Sequence, residues 1–248
     1  MKTNNPVFRN DVFSKAAESW KGELMTLDGT SMKAGVLTLL MFAGAFWPWH
    51  LYFQAHVASS ALTPYMIGGT LAGFVVALIT IFNKQFSPVT APLYAVLEGL
   101  ALGAVSVAYE TQFPGIGVEA VGLTFAVLGV FLLAYTTRLV RPSAGFMKAV
   151  AIATGGIAVY YLVAMVLMFF GIHAPMIWDT GIFGIGFSVV VTVVAALNLF
   201  TDFAFIEAGV ESRAPKYMEW YGAFGLMVTI VWLYLEILRL ASKLRSNK

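Results

Sequence analysis

The composition of this 248-residue chain is that of a membrane protein. Hydrophobic residues make up 59% of the chain and charged residues only 11%. An ordinary soluble domain has about a quarter charged residues, so 15 basic and 13 acidic side chains cannot give a chain of this length a solvated surface. The net charge of +2 gives no sign of nucleic-acid binding, and the lack of cysteine excludes disulfides, thiolate metal sites and cysteine nucleophiles.

Apolar runs of helical length predict seven membrane spans. Each run is close to the roughly 20 residues that cross a bilayer as a helix. The runs are continuous rather than alternating, which favours helices over barrel strands. Breaks are predicted at prolines such as Pro48, Pro88 and Pro142. The predicted limits of the spans are 34–53, 64–82, 90–109, 119–137, 149–170, 182–205 and 219–241.

The chain is therefore predicted to be an all-α membrane protein in three parts. These are a polar cytoplasmic N-terminal segment (1–33), a seven-span membrane domain (34–242) and a short basic tail (243–248). Lysine and arginine occur in the N-terminal segment and in every even-numbered connection, which predicts a cytoplasmic N-terminus. Seven full crossings would place the basic tail outside, against the pattern of the other basic segments. The last segment therefore either crosses fully or re-enters, which would return the tail to the cytoplasm. The length of 219–241 favours the full crossing.

Two pairs of glycines predict close helix packing. Gly69 and Gly73 lie in the second span, and Gly99 and Gly103 lie in the third. Glycines four residues apart lie on one helix face and allow another helix to approach closely. We favour packing within the chain over a dimer interface for both pairs.

Three acidic residues within the spans are the candidate functional residues. Glu98 lies near the middle of the third span, Asp202 toward the cytoplasmic end of the sixth, and Glu236 within the seventh. A carboxylate at the bilayer centre costs about 2.5–3.5 kcal/mol, so each is expected to face a partner or a water-filled cavity inside the bundle. Asn198 shares a helical face with Asp202, and Arg239 follows Glu236 by three residues; both are candidate supporting residues.

Each acid also has an interpretation without a pathway. Glu98 would be protonated and hydrogen-bonded between helices, Asp202 would reach polar atoms of a loop, and Glu236 would pair locally with Arg239. Three further acids belong to a charged cytoplasmic connection and are expected to be solvated: Glu207, Glu211 and Glu219.

Soluble-enzyme motifs are absent from the sequence. It contains no Gly-x-Ser-x-Gly, no Walker loop and no His-Glu-x-x-His. We therefore expect no catalytic residues and no enzymatic activity.

Short motifs along the chain resemble one membrane family. The stretch Leu97-Glu98-Gly99-Leu100-x-Leu-Gly103 resembles the Glu-Gly signature of the Bax inhibitor-1 family, the YccA-like proteins with the transmembrane BAX inhibitor motif. Trp232-Leu-Tyr-Leu-Glu236, followed by Ile-Leu-Arg-Leu, is similar to the family's last span. Three other segments resemble a bacterial branch of the family: Asn5–Phe8, Met25–Lys33 and Lys216–Tyr221. The resemblance covers essentially the whole chain.

The resemblance implies a fold, a site and an activity. The fold is a central last helix surrounded by six others. The site is a pair of carboxylates in the last two spans that hydrogen-bond and gate a pH-sensitive calcium leak. Carried over, Asp202 and Glu236 form that pair and are the candidate metal ligands, with glutamate in place of the second aspartate. Their separation of 34 residues is longer than the family spacing, so Glu98 is a further candidate partner of either acid.

Three functions follow as alternatives. The first is a calcium or other cation leak with no cofactor beyond weakly bound calcium, because two or three carboxylates are fewer than a tight calcium site provides. The second is a regulator that binds a membrane protease or the stress and cell-death machinery through segment 1–33 and the basic tail. The third, an intramembrane enzyme, has the least support. The bacterial resemblance implies an inner-membrane location.

Overall fold

Seven long helices make up most of the chain that the structure describes. The computed structural model describes residues 22–54, 58–171 and 176–246. Within these ranges seven helices are long and apolar enough to cross a membrane, and the last has the largest buried share. They are α1 (Leu27–Phe53), α2 (Thr63–Phe82), α3 (Ser87–Glu110), α4 (Ile116–Thr136), α5 (Ala144–Phe169), α6 (Ile182–Glu211) and α7 (Met218–Ser246). The predicted all-α, seven-span fold is confirmed.

Local sequence explains where several helices begin. The hydroxyl of Thr26 caps α1 by accepting a hydrogen bond from the N–H of Gly29 at 3.0 Å. Ser143 caps α5 in the same way, accepting from an N–H three residues on at 3.1 Å. Prolines occupy the first turns of α2 and α3, where an N–H has no partner within the helix.

Two predicted features of the N-terminal part were wrong. The first helix begins at Leu27 rather than at residue 34, because Thr26 supplies its cap, so residues 27–33 at the end of the predicted polar segment are helical. Pro48 was predicted to interrupt a helix, but it lies inside α1, which continues to Phe53. Residues 1–21 of the predicted segment lie outside the described residues.

The described residues fall into two compact units. The first contains residues up to Gln112 together with Asp202–Val228. The second contains Phe113–Thr201 and the chain from Thr229 onward. The helices α6 and α7 contribute residues to both units.

Glycines let three helices pack closely in the first unit. Gly99 and Gly103 of α3 lie against the backbone of α1, and a Cβ on Gly99 would overlap the carbonyl of Met41. Gly69 of α2 lies against the backbone of α3, and Gly73 lies against the Glu98 side chain. Both pairs therefore pack helices within the chain, as predicted.

Aromatic contacts join three helices in the second unit. The ring of Phe200 on α6 stacks on Phe131 of α4, with 4.6 Å between the ring centroids. Phe146 of α5 approaches Phe200 edge-on at 6.3 Å. These contacts set the position of α6 against α4 and α5.

Residues 243–246 of the predicted basic tail continue the helix α7. Lys243 is 4% exposed, and its ammonium group donates to two backbone carbonyls at and before the start of α6, at 2.7 and 2.9 Å. Arg245 donates to the carbonyl of Pro114 at 2.8 Å and pairs with Glu119. A continuous helix of 29 residues favours the full crossing over the re-entrant alternative.

Candidate functional site

Glu236 of α7 lies in a buried hydrogen-bonded cluster of the second unit. The residue is 1% exposed. Its Oε1 accepts hydrogen bonds from the hydroxyl of Tyr161 at 2.9 Å and from the indole N–H of Trp232 at 3.2 Å. Nη1 of Arg239 donates to both carboxylate oxygens, at 2.7 and 2.8 Å. The predicted local pairing of Glu236 with Arg239 is therefore confirmed, and the guanidinium balances the carboxylate charge.

Tyr161 connects α5 to this cluster. Its hydroxyl donates to Glu236 and accepts from Nη1 of Arg239 at 2.7 Å. The guanidinium also lies over the Tyr161 ring, 5.3 Å from its centroid, in a cation–π contact. Sequence analysis missed Tyr161, since it lies 75 residues before Glu236 and no local pattern joins them. Trp232 could have been found, because it lies one helical turn before Glu236.

The charge of Arg239 disfavours a metal site at this cluster. A cation approaching Glu236 meets the positive guanidinium of Arg239, so its oxygens become ligands only when Arg239 moves away. No group of three or more histidines or acids in the described ranges could hold a metal ion. The assignment of Asp202 and Glu236 as calcium ligands stays a prediction.

Asp202 and Asn198 lie on α6 four residues apart. Asp202 is partly buried and belongs to the first unit, whereas Asn198 belongs to the second. The amide of Asn198 donates to the hydroxyl of Thr154 on α5 at 2.8 Å and to the carbonyl of Val194 at 2.8 Å. Asn198 therefore serves to join α5 and α6, and its predicted support of Asp202 stays a prediction.

Glu98 of α3 faces Gly73 of α2. The residue is partly buried on α3. A Cβ built on Gly73 of α2 would lie 2.8 Å from its Oε2, so the absence of a side chain at residue 73 leaves room for the carboxylate in this position. Gly73 thus leaves room for an acidic side chain between two apolar helices.

Glu219 forms a second buried charge cluster, in the first unit, that sequence analysis missed. The residue is 0% exposed. Its Oε1 accepts from the backbone N–H and from the hydroxyl of Thr26, both at 2.9 Å. Lys33 of α1 donates to Oε2, and the ammonium of Lys216 lies 3.3 Å from Oε1. We call this group the Glu219 clasp: Thr26, Gly29, Lys33, Lys216 and Glu219.

Two of the three acids that were predicted to be solvated are exposed. Glu207 and Glu211 are exposed on α6, but Glu219 is buried. Burial is tolerated because two lysines and Thr26 satisfy the carboxylate. The missed signal was Gly29 three residues after the capping Thr26, a position where an acid often completes the cap.

A search against family profiles identifies the chain. The profile of the family described as Bax inhibitor 1 like matches residues 5–246. The chain belongs to this family. Searches of curated proteins and of solved structures returned no match. Family membership and the seven apolar helices together make it an integral membrane protein.

The segments that resembled the Bax inhibitor-1 family map onto the sites described above. Residues 97–103 lie on α3 and include Glu98, and residues 232–240 lie on α7 and include Glu236. Residues 25–33 and 216–221 contain the members of the Glu219 clasp. Residues 5–8 lie outside the described residues.

Proposed function

We propose that this Bax inhibitor 1 like protein is a pH-sensitive leak pathway for calcium or another cation, gated by carboxylates within its helices. The observation that carries the proposal is the presence of Glu98, Asp202 and Glu236 inside apolar helices of a chain that belongs to this family. Acids at such depth are expensive, which favours a role in an ion pathway. We place the protein in a bacterial inner membrane with its N-terminus in the cytoplasm.

The three acids have different roles in this proposal. Arg239 balances Glu236, so Glu236 is a gate residue rather than a cation ligand in the closed state. Asp202 and Glu98 supply the carboxylate oxygens that a passing cation would use, since calcium prefers hard oxygen ligands. Binding is weak and transient because the pathway offers few such oxygens, and no further cofactor is required.

The pH dependence follows from the charge of the pathway. At higher pH a carboxylate that holds a proton loses it, and the negative charge that develops favours entry of a cation. At lower pH the proton removes that charge and the leak falls. Flux should therefore rise from pH 5 to pH 8.

Calcium entry into dye-loaded proteoliposomes tests the proposal. We expect flux in the wild type to rise with pH, and Asp202→Asn, Glu236→Gln and Glu98→Gln to lose that dependence. Glu211→Gln is the matched control, since Glu211 is an exposed acid at the end of α6 and should leave the profile unchanged. Wild-type flux equal to that of empty liposomes at every pH would overturn the leak.

A second candidate function is regulation of a membrane protease or of stress or cell-death machinery through binding. The observation that favours it is the attachment of the N-terminal segment to α7: Met25 is 2% exposed and packs with Ala214 and Met218. A protein bound to the preceding residues would thus act directly on the last helix. Deleting residues 1–21, which leaves Met25 in place, should abolish regulation and spare a leak.

A further inference from the structure

Two segments left unused by the proposed pathway, 25–33 and 216–221, meet in the Glu219 clasp. They are nearly 200 residues apart in sequence, with a separation of 193 between Thr26 and Glu219. One begins α1 and the other begins α7. The contact therefore fastens the first described helix to the last.

The clasp is a helix cap completed by a distant residue. In a capping box, the side chain of the third helical residue accepts a hydrogen bond from the N–H of the capping residue. At the start of α1 that third residue is Gly29, which has no side chain, and Glu219 accepts from the Thr26 N–H instead. A Cβ on Gly29 would collide with the Glu219 carboxylate, so α7 occupies the place that a local side chain would fill.

Backbone pairing holds the chain just before α1 onto the α6–α7 connection. Leu24 and Pro215 form an isolated antiparallel bridge. The N–H of Met25 donates to the carbonyl of Ala214 at 2.8 Å, and the N–H of Lys216 donates to the carbonyl of Glu23 at 3.0 Å. The backbone pairing holds Leu24 and Met25, and the Glu219 carboxylate holds Thr26 directly after them.

The charges of the clasp resist separation. Glu219 is fully buried and Lys33 has a side-chain exposure of 12%. Hydrogen bonds to a charged group are stronger than neutral ones, and pulling the two apart would leave a buried carboxylate without its partner. The hydrogen bonds and the ion pair of the clasp therefore form or break together, as a latch requires.

We propose that the Glu219 clasp is a latch that holds α7 against α1, and that α7 shifts only when the latch releases. The helix is continuous from Met218 to Ser246, so movement of its first turn is carried toward Glu236. Closing the latch restrains the leak and opening it raises the flux. The link to flux rests on the proposed function, whereas the latch itself does not.

Cysteine labelling tests the latch without measuring transport. The chain has no cysteine, so Met25→Cys creates a single buried thiol just before α1. In this background we expect Gly29→Ala and Glu219→Gln to speed maleimide labelling by about tenfold or more, because the first displaces the Glu219 carboxylate and the second removes its charge. Gly35→Ala is the matched control on α1, since a Cβ at residue 35 meets no atom within 4 Å. Equal rates in Gly29→Ala and Gly35→Ala, or rapid labelling of Met25→Cys alone, would overturn the latch.

A reversible crosslink tests its coupling to transport. Bridge partners of the type formed by Leu24 and Pro215 have Cα atoms about 4.5 Å apart, within the range that a disulfide spans. We expect oxidised Leu24→Cys/Pro215→Cys to lose most of its calcium flux and to regain it on reduction. The control crosslink Thr80→Cys/Thr90→Cys joins α2 to α3, where the two hydroxyls are 2.8 Å apart, and should leave flux unchanged.

The outcomes separate the two proposals. Equal flux in the oxidised and reduced Leu24→Cys/Pro215→Cys protein would overturn the coupling while the leak stands. A reduced protein without flux above empty liposomes would overturn the leak, and the labelling rates would still decide whether the latch exists.

Discussion

Two buried glutamates on α7, Glu219 and Glu236, are held in different ways. Seventeen residues, or about 25 Å of helix, separate them. Glu236 takes its counter-charge from Arg239, one turn away on the same helix, and a hydrogen bond from Tyr161. Glu219 takes its buried hydrogen bonds from Thr26 and Lys33, residues of the opposite end of the chain.

The difference separates a local charge pair from a long-range fastener. Glu236 and Arg239 would stay neighbours in any helical arrangement of α7, so their pairing does not by itself fix the position of α7. The Glu219 contacts exist only when α1 and α7 are together. A buried acid on α7 therefore belongs either to a local charge pair or to a contact between distant segments, and variants can distinguish the two.

Removing Arg239 should have the largest effect. Arg239→Met leaves the Glu236 carboxylate buried without its counter-charge, which should cost about 3–5 kcal/mol in unfolding free energy. Denaturation in mixed micelles measures it. The double variant Arg239→Met/Glu236→Gln should recover most of the loss, because no isolated charge remains. A double variant as unstable as the single one would contradict the interpretation of Glu236 as a locally balanced pair.

Neutralising Glu219 should be less costly. Glu219→Gln can still accept hydrogen bonds from Thr26 but loses its attraction to Lys33, so we expect a loss of about 2–3 kcal/mol in the same assay. The exposed acid Glu211 gives the control, and Glu211→Gln should stay within about 0.5 kcal/mol of the wild type. Equal values for the two variants would place Glu219 among solvated acids.

Removing the Tyr161 hydroxyl should have a smaller effect. Tyr161→Phe keeps the ring beneath Arg239 and removes the hydroxyl that joins α5 to the Glu236 cluster. We expect a loss of about 1 kcal/mol, since the Glu236–Arg239 pair remains. A loss as large as that of Arg239→Met would mean that the long-range contact, rather than the local pair, holds Glu236.

The smallest effect should come from Lys216 at high pH. Its hydrogen bond to Glu219 raises the pKa of the Lys216 ammonium above its usual range. A raised pKa stabilises the folded state below the ordinary lysine pKa of about 10.4, and that contribution is lost as the pH rises through the higher folded-state value. The wild type should therefore lose slightly more thermal stability above about pH 10.4 than Lys216→Met. Equal losses of thermal stability in the wild type and Lys216→Met would show that the contact between Lys216 and Glu219 does not stabilise the fold.

Most of the fold could be predicted from the sequence, because span length and hydropathy are local properties. Seven helices, the close packing at Gly69 and Gly99 and the pairing of Glu236 with Arg239 each depend on spacing within a few turns. The errors came from contacts that end or extend a helix. Thr26 starts α1 earlier than hydropathy indicates, and Lys243 is held by carbonyls far away in sequence.

The candidate site was predictable only in part for the same reason. Glu98 and Glu236 were recognised because an acid within an apolar run is visible in the sequence itself. Glu219 lies among charged neighbours, and nothing within ten residues reveals that Thr26 and Lys33 will bury it. Tyr161 likewise has an ordinary local context and acquires its role only through α7.

The cap of α1 has a consequence for how the protein is made. A chain synthesised from its N-terminus produces α1 before α7. Thr26 and Lys33 therefore lack Glu219 as a partner until the five intervening helices have been made. Until then the first helix lacks its final hydrogen bonds, and Lys33 lacks its buried partner. A chain that stops before Glu219 could never close this contact, so the Glu219 clasp forms only after the start of α7 has been made.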